Sequence, residues 1–191
     1  MANNNIEIEI KIPVTEQEFQ NAKKILEATS KFSKKSEQED EYFTPAHKNF
    51  LEPKHPFEWL SIRKRGSGFL LTYKHFHPEN SEFMNYCDEI ETEIKDGENL
   101  KKIFNSLNFK SLIIVKKQRE MYKYKDEFEI CLDTVDNLGS FIEIEAIKDF
   151  GSVDLTRLAI TEFAKQLGLD GEKKATKGYP YLLMEKLGLI N

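Results

Sequence analysis

The sequence predicts an α+β chain in which strands dominate, and three observations carry that expectation. Apolar and polar residues alternate over eight separate segments, enough strands to close a small barrel. Four stretches with helical spacing separate or flank them. The polar side of most strands is charged, often with one sign, which a merely solvated face does not need.

The first strand is the clearest: Ile6, Ile8, Ile10 and Ile12 point one way, and Glu7, Glu9 and Lys11 the other. Thr15-Glu16-Gln17-Glu18 then has the spacing of a capping box, and Phe19, Ala22, Ile25 and Leu26 repeat with helical period. Further strands are expected at 38–43, 59–65, 69–76, 89–95, 111–122, 127–133 and 141–147. Three prolines make 45–56 a loop. A second helix is expected near 98–107, a third over 155–167 stopped by Gly168, and a short fourth from Pro180 to Gly188. With no repeat, no low-complexity tract and no composition break, residues 1–191 are expected to form one domain.

Strand parity sorts the charges. Ser61, Arg63 and Arg65 share a side, as do Thr72 with Lys74, and Glu89 with Glu91 and Glu93. Lys117 lies beside Arg119, Glu129 beside Cys131 and Asp133, and Glu143 beside Glu145. Such short strands predict polar sides that face one another across a lumen, with the apolar sides packed outward on helices. Converging Lys and Arg suit phosphate oxygens. Carboxylates in the same lumen would repel that anion unless divalent cations lay between them, and an oxygen-only donor set points to Mg²⁺ or Mn²⁺.

Composition closes other routes. The chain has 28 Lys+Arg against 33 Asp+Glu, a net charge of −5, which argues against a general nucleic-acid binder. No stretch approaches the ~20 apolar residues of a membrane span, and Met1-Ala2-Asn3-Asn4-Asn5 lacks the features of a leader, so a cytoplasmic protein is expected. Cys87 and Cys131 are isolated and are expected to be reduced, partly buried thiols. His47, His55, His75 and His77 are expected at the surface or in loops rather than as ligands.

Glu7-Ile8-Glu9-Ile10-Lys11 resembles the ExExK signature of the CYTH superfamily, the triphosphate tunnel metalloenzymes. In order along the chain, Gln38-x-Asp40-x-Tyr42-Phe43, Leu60-x-Ile62-Arg63, Leu71-Thr72-Tyr73-Lys74, Glu89 to Glu93, Lys117-x-Arg119, Leu132-Asp133 through Glu143-x-Glu145, and Lys177-Gly178-Tyr179 are similar to its further motifs. The resemblance spans about residues 6 to 187 and looks nearest to the class IV adenylyl cyclase and thiamine triphosphatase branch. It implies an eight-stranded, closed antiparallel β-barrel around a tunnel, with flanking helices, and leaves room for a homodimer. It assigns Glu7, Glu9, Glu143 and Glu145, with Asp133, Glu91 and Glu93 as further candidates, to Mg²⁺ or Mn²⁺. Lys11, Arg63, Arg65, Lys74, Lys117, Arg119 and Lys177 would grip the triphosphate. Glu9, Lys11 and Tyr42 are the candidate catalytic groups, Tyr42 as a partner for Lys11.

Two departures from the family pattern stand out. Ser61 replaces an arginine, with Arg65 on the same face as a substitute, and Cys87 stands where an arginine often precedes the acidic strand. Fewer cations weaken the expected grip on bare tripolyphosphate and leave room for an organic triphosphate such as ATP or thiamine triphosphate. The expected activity is metal-dependent triphosphate hydrolysis. The alternatives are a class IV cyclase, which turns ATP into cyclic AMP and pyrophosphate, and a non-catalytic polyphosphate-binding or nucleotide-binding module.

Overall fold

The computed structural model describes residues 6–190, so the segment Met1 to Asn5, expected not to be a leader, lies outside the described residues. The predicted first strand is divided at Ile8 into β1 (Ile6–Glu7) and β2 (Glu9–Val14). After α1 (Glu16–Thr29) come β3 (Lys31–Thr44), β4 (Glu58–Arg65), β5 (Gly68–His77) and β6 (Tyr86–Ile94). Next are α2 (Gly97–Ser106), β7 (Lys110–Tyr124), β8 (Phe128–Val135), β9 (Gly139–Ala146), α3 (Val153–Gln166) and α4 (Tyr179–Lys186). A 3₁₀ turn at Gly171–Lys173 was not expected.

The hydrogen-bonded strand order is β1-β6-β5-β4-β3-β7-β8-β9-β2. It begins and ends on adjacent pieces of one N-terminal strand. The pairs β2/β9, β3/β4, β4/β5, β5/β6, β7/β8 and β8/β9 are antiparallel. Residue contacts group the chain into two compact units, one mainly residues 37–116 with the segment from 179, the other residues 7–36 with 117–178.

In the unit of residues 7–36 and 117–178, alternation decides the core. Ile10, Ile12, Ile130, Leu132, Ile142 and Ile144 come from one face of β2, β8 and β9 and pack with Ala22 and Leu26 of α1 and Ile160, Phe163 and Ala164 of α3. α1 starts where the sequence predicts: the Thr15 hydroxyl accepts from the Glu18 amide, and the Glu18 carboxylate accepts from the Thr15 amide at 2.8 Å. α3 stops at Gly168, whose φ of +76° is a conformation that a β-carbon would oppose.

In the unit around residues 37–116, Phe43, Ile62 and Phe104 form the buried centre, with Leu60, Phe69, Leu71, Ile94, Leu100 and Phe109 against it. α2 is capped by Asp96, which accepts from the Asn99 amide at 2.9 Å, and Gly97 follows because a β-carbon there would overlap the Phe69 ring. His75 and His77 lie on β5 rather than in a loop and stack on one another with centroids 4.6 Å apart; each meets a carboxylate, Glu79 at 2.9 Å and Asp88 at 3.0 Å.

Glu58 in this unit is 7% exposed, accepts from the Tyr73 hydroxyl at 2.7 Å and is ion-paired with Lys48. Burial raises its pKa, but the bonds from Lys48 and Tyr73 outweigh that, and the net direction is down. A carboxylate depressed in the fold contributes stability above its unfolded pKa, near 4.3, and loses it as pH falls through the folded value. The urea midpoint should therefore fall on acidification below about pH 4.5, and Glu58→Gln should flatten part of that slope while costing about 1–2 kcal/mol at pH 7. An unchanged slope in the variant would remove Glu58 from the account.

Candidate active site

Each unit carries a cluster of paired charges on the polar face of its strands. In the unit of residues 7–36 and 117–178, cross-strand register stacks the predicted residues in rows. Glu9 faces Glu145, which faces Glu129; Lys11 faces Glu143, which faces Cys131; and Asp133 faces Arg119. The alternate residues of β2, β8 and β9 belong to the core, so these side chains are fixed on the other face.

This face is buried although it is ionic. Asp133 is 0%, Lys117 6% and Glu143 7% exposed. Arg119 forms a two-pronged bond to Asp133, Nε to Oδ1 at 2.7 Å and Nη2 to Oδ2 at 2.5 Å, and Nη2 also meets Glu143. Lys117 lies 3.3 Å from Asp133. Lys11 bridges Glu143 at 2.9 Å and Glu9 at 3.4 Å. Burial by itself would raise the Glu143 pKa, but Arg119, Lys11 and Lys117 hold the carboxyl well below the usual range. Burial likewise opposes the charge on Arg119, and Glu143 and Asp133 overcome it. Burial pushes the Cys131 thiol up, which makes it a poor nucleophile at neutral pH. Lys177 is half-buried two residues after Ala175, whose amide donates to the Lys11 carbonyl at 2.7 Å, and Glu7 is half-buried on β1.

In the unit around residues 37–116, register sets Asp40 opposite Arg63, Tyr42 opposite Ser61, Gln38 opposite Arg65 and Glu89 opposite Lys74. Asp40 is 2% exposed and lies 2.5 Å from the Arg65 and 3.6 Å from the Arg63 guanidinium. Arg63 also reaches Glu91 at 3.3 Å and Glu89 at 3.5 Å, and Lys74 reaches Glu89 at 3.5 Å. The Thr72 hydroxyl donates to Glu91 at 3.0 Å. Tyr42 packs edge-on against Trp59, with centroids 5.8 Å apart.

Most predicted residues thus sit on the expected faces, with informative differences. Arg65 shares its face with Ser61 and Arg63. Glu93 is exposed opposite Leu70, whereas Glu89, to which no role was given, holds two cations. Asp40 is a further charged member of the polar face, and its parity with Gln38 and Tyr42 is the sequence signal for it. Cys87 and Cys131 are free thiols, buried more deeply than expected at 2% and 5% exposure.

The CYTH domain family model matches residues 5–179. The chain belongs to the CYTH family. A protein of Methanocaldococcus jannaschii, named "Putative adenylate cyclase", is 34% identical over 179 residues, 91% of this chain and 96% of that protein. The PH1012 protein of Pyrococcus horikoshii superposes with a TM-score of 0.75 at 30% identity, over 92% of this chain and 98% of its own. A "putative adenylate cyclase" structure from Vibrio parahaemolyticus shares the fold, with a TM-score of 0.73 at 19% identity over 94% and 98% of the two chains. The expected barrel class is therefore the observed one, and no helix among the described residues is long and apolar enough to cross a membrane.

Among the described residues, no three His, Cys, Asp or Glu side chains converge as a ready-made cation cage. The donor chemistry nevertheless fits a hard divalent ion. Glu9 and Glu145 are carboxylates directly opposite one another, an arrangement that repels unless a cation offsets it.

Proposed function

We propose that this CYTH protein is a divalent-metal-dependent triphosphatase. The observation that carries the reading is the buried Lys11/Glu143/Arg119/Asp133/Lys117 network, where cations are pre-set on a strand face beside the Glu9/Glu145 carboxylate pair. A neutral binding groove would not bury so many charges, because each costs several kcal/mol to desolvate.

Glu7, Glu9, Glu143 and Glu145 would hold Mg²⁺ or Mn²⁺, Glu143 by exchanging its contacts with Lys11 and Arg119 for the ion. A bound ion of this kind neutralises charge on the phosphate oxygens and lowers the pKa of a bound water. Lys11, Lys117, Arg119 and Lys177 are the proposed triphosphate donors, and Arg63, Arg65 and Lys74 are a second candidate set of phosphate donors within the unit around residues 37–116. Arginines present a planar fork to phosphoryl oxygens and lysines a point charge, so the set can both orient the chain and stabilise charge that spreads during phosphoryl transfer. Tyr42, opposite Ser61, adds a phenolic donor on that face.

The second reading is cyclisation of ATP, favoured by the name given to the 34%-identical relative. Hydrolysis asks less of the protein because it requires no base recognition. Incubation with Mg²⁺ or Mn²⁺ and ATP, thiamine triphosphate or tripolyphosphate, with products resolved, separates the two. Orthophosphate is the expected product; cyclic AMP with pyrophosphate would install the cyclase, and binding without turnover would leave a non-catalytic module.

A further inference from the structure

Asp40 and Asp133 share a local geometry, each within its own unit. Asp133 on β8 lies directly across the ladder from Arg119 and also reaches Lys117, two residues along the same strand. Asp40 on β3 lies directly across from Arg63 and also reaches Arg65, again two residues along. Both carboxylates are almost wholly buried, at 0% and 2% exposure, and each cation pair shares one strand face.

We infer that Asp40 and Asp133 are positioning residues, buried anchors that hold the Arg63/Arg65 and Lys117/Arg119 pairs in the orientation that receives phosphate oxygens. The inference rests on the proposed triphosphate reading and takes Asp133 out of the metal-ligand set. Three features of the structure and its chemistry support it. The two oxygens of Asp133 are both engaged by the Arg119 fork, so its lone pairs are directed at cations. A buried carboxylate keeps its cationic partners close, because leaving it uncompensated is costly. Long Lys and Arg side chains also lose much rotamer freedom when they bind; a side chain ordered in advance has already met that cost.

Two roles predict opposite signs. If Asp133 were only a negative charge near an anion site, Asp133→Asn would tighten triphosphate binding by removing repulsion. If it anchors the pair, Asp133→Asn frees Lys117 and Arg119 and weakens binding. The measurement is calorimetric binding of tripolyphosphate, and separately of ATP, to wild type and to each of Asp133→Asn and Asp40→Asn in EDTA, where no divalent ion contributes. We expect roughly tenfold weaker binding or more in each variant. Turnover should show a raised KM with an unchanged Mg²⁺ concentration for half-activation. Equal or tighter binding, or a raised Mg²⁺ requirement in Asp133→Asn with binding in EDTA intact, would overturn the inference.

Asparagine is nearly isosteric, and Asp40→Asn gives the same reading if Asp133→Asn does not fold. The arginine guanidinium N–H resonances supply a readout without substrate: the Arg119 Nε–H should lose its restrained signal in Asp133→Asn alone, and the Arg65 Nη1–H in Asp40→Asn alone. If wild type binds no triphosphate, the functional reading falls, and those resonances still decide whether the aspartates are anchors. Unchanged resonances would sink the anchors whatever the substrate.

Discussion

Glu9→Gln is expected to lose metal-dependent turnover by a hundredfold or more while keeping its fold. Glu9 sits opposite Glu145 on the β2/β9 ladder and 3.4 Å from the Lys11 ammonium. The amide keeps the shape and removes one of two facing negative charges, so a divalent ion loses an anionic donor. Metal assistance contributes several kcal/mol of transition-state stabilisation, and each 1.36 kcal/mol is tenfold in rate, so a loss of about 100-fold is a lower bound. Stability should move the other way: like charges directly across a sheet are destabilising, and the variant should melt at or slightly above the wild-type temperature. This pairing of signs separates a functional carboxylate from a structural one. Activity within twofold of wild type would remove Glu9 from the reaction, and a large drop in melting temperature would make it a packing residue.

How much of this was legible depended on whether a segment had two different faces. β2, β4, β8 and β9 carry apolar residues on one parity and charged ones on the other, so both their existence and the direction of Glu9, Lys11, Arg63, Asp133 and Glu143 could be read. The first half of β3 could not, because Lys31 to Lys35 are all exposed and carry no apolar period; only the backbone ladder makes that stretch a strand. The division at Ile8 was hidden for the opposite reason, since isoleucine continues the pattern on both sides. The acidic run of β6 shows a third limit. Parity places Glu89, Glu91 and Glu93 on one side, yet the register sets Lys74 opposite Glu89 and Leu70 opposite Glu93. Which carboxylate meets a cation is a property of the pairing, and no single strand carries it. The anchoring roles of Asp40 and Asp133 are of the same kind, since each rests on a partner strand.

Arg119→Ala is expected to be the most destabilising single change at the charged face. Asp133 is wholly buried and receives two hydrogen bonds from the Arg119 fork, and Glu143, 7% exposed, also meets Nη2. Truncation leaves Lys117 at 3.3 Å for Asp133 and Lys11 at 2.9 Å for Glu143, with a cavity where the guanidinium stood. Breaking a buried ion pair by removing one partner costs about 3–5 kcal/mol, against roughly 5–15 kcal/mol for a whole domain, and for a chain of this size that lowers the melting temperature by roughly 10 °C. Arg119→Lys should recover only part, because an ammonium cannot reproduce the planar fork. A double-mutant cycle with Asp133→Asn isolates the pair: the double variant should be less destabilised than the sum of the single ones, since neither Arg119 nor Asp133 is left facing the other's absence. Denaturant unfolding of the four proteins checks this. A strictly additive cycle would mean that Arg119 and Asp133 are not coupled and that the stability of this face comes from the apolar layer behind it.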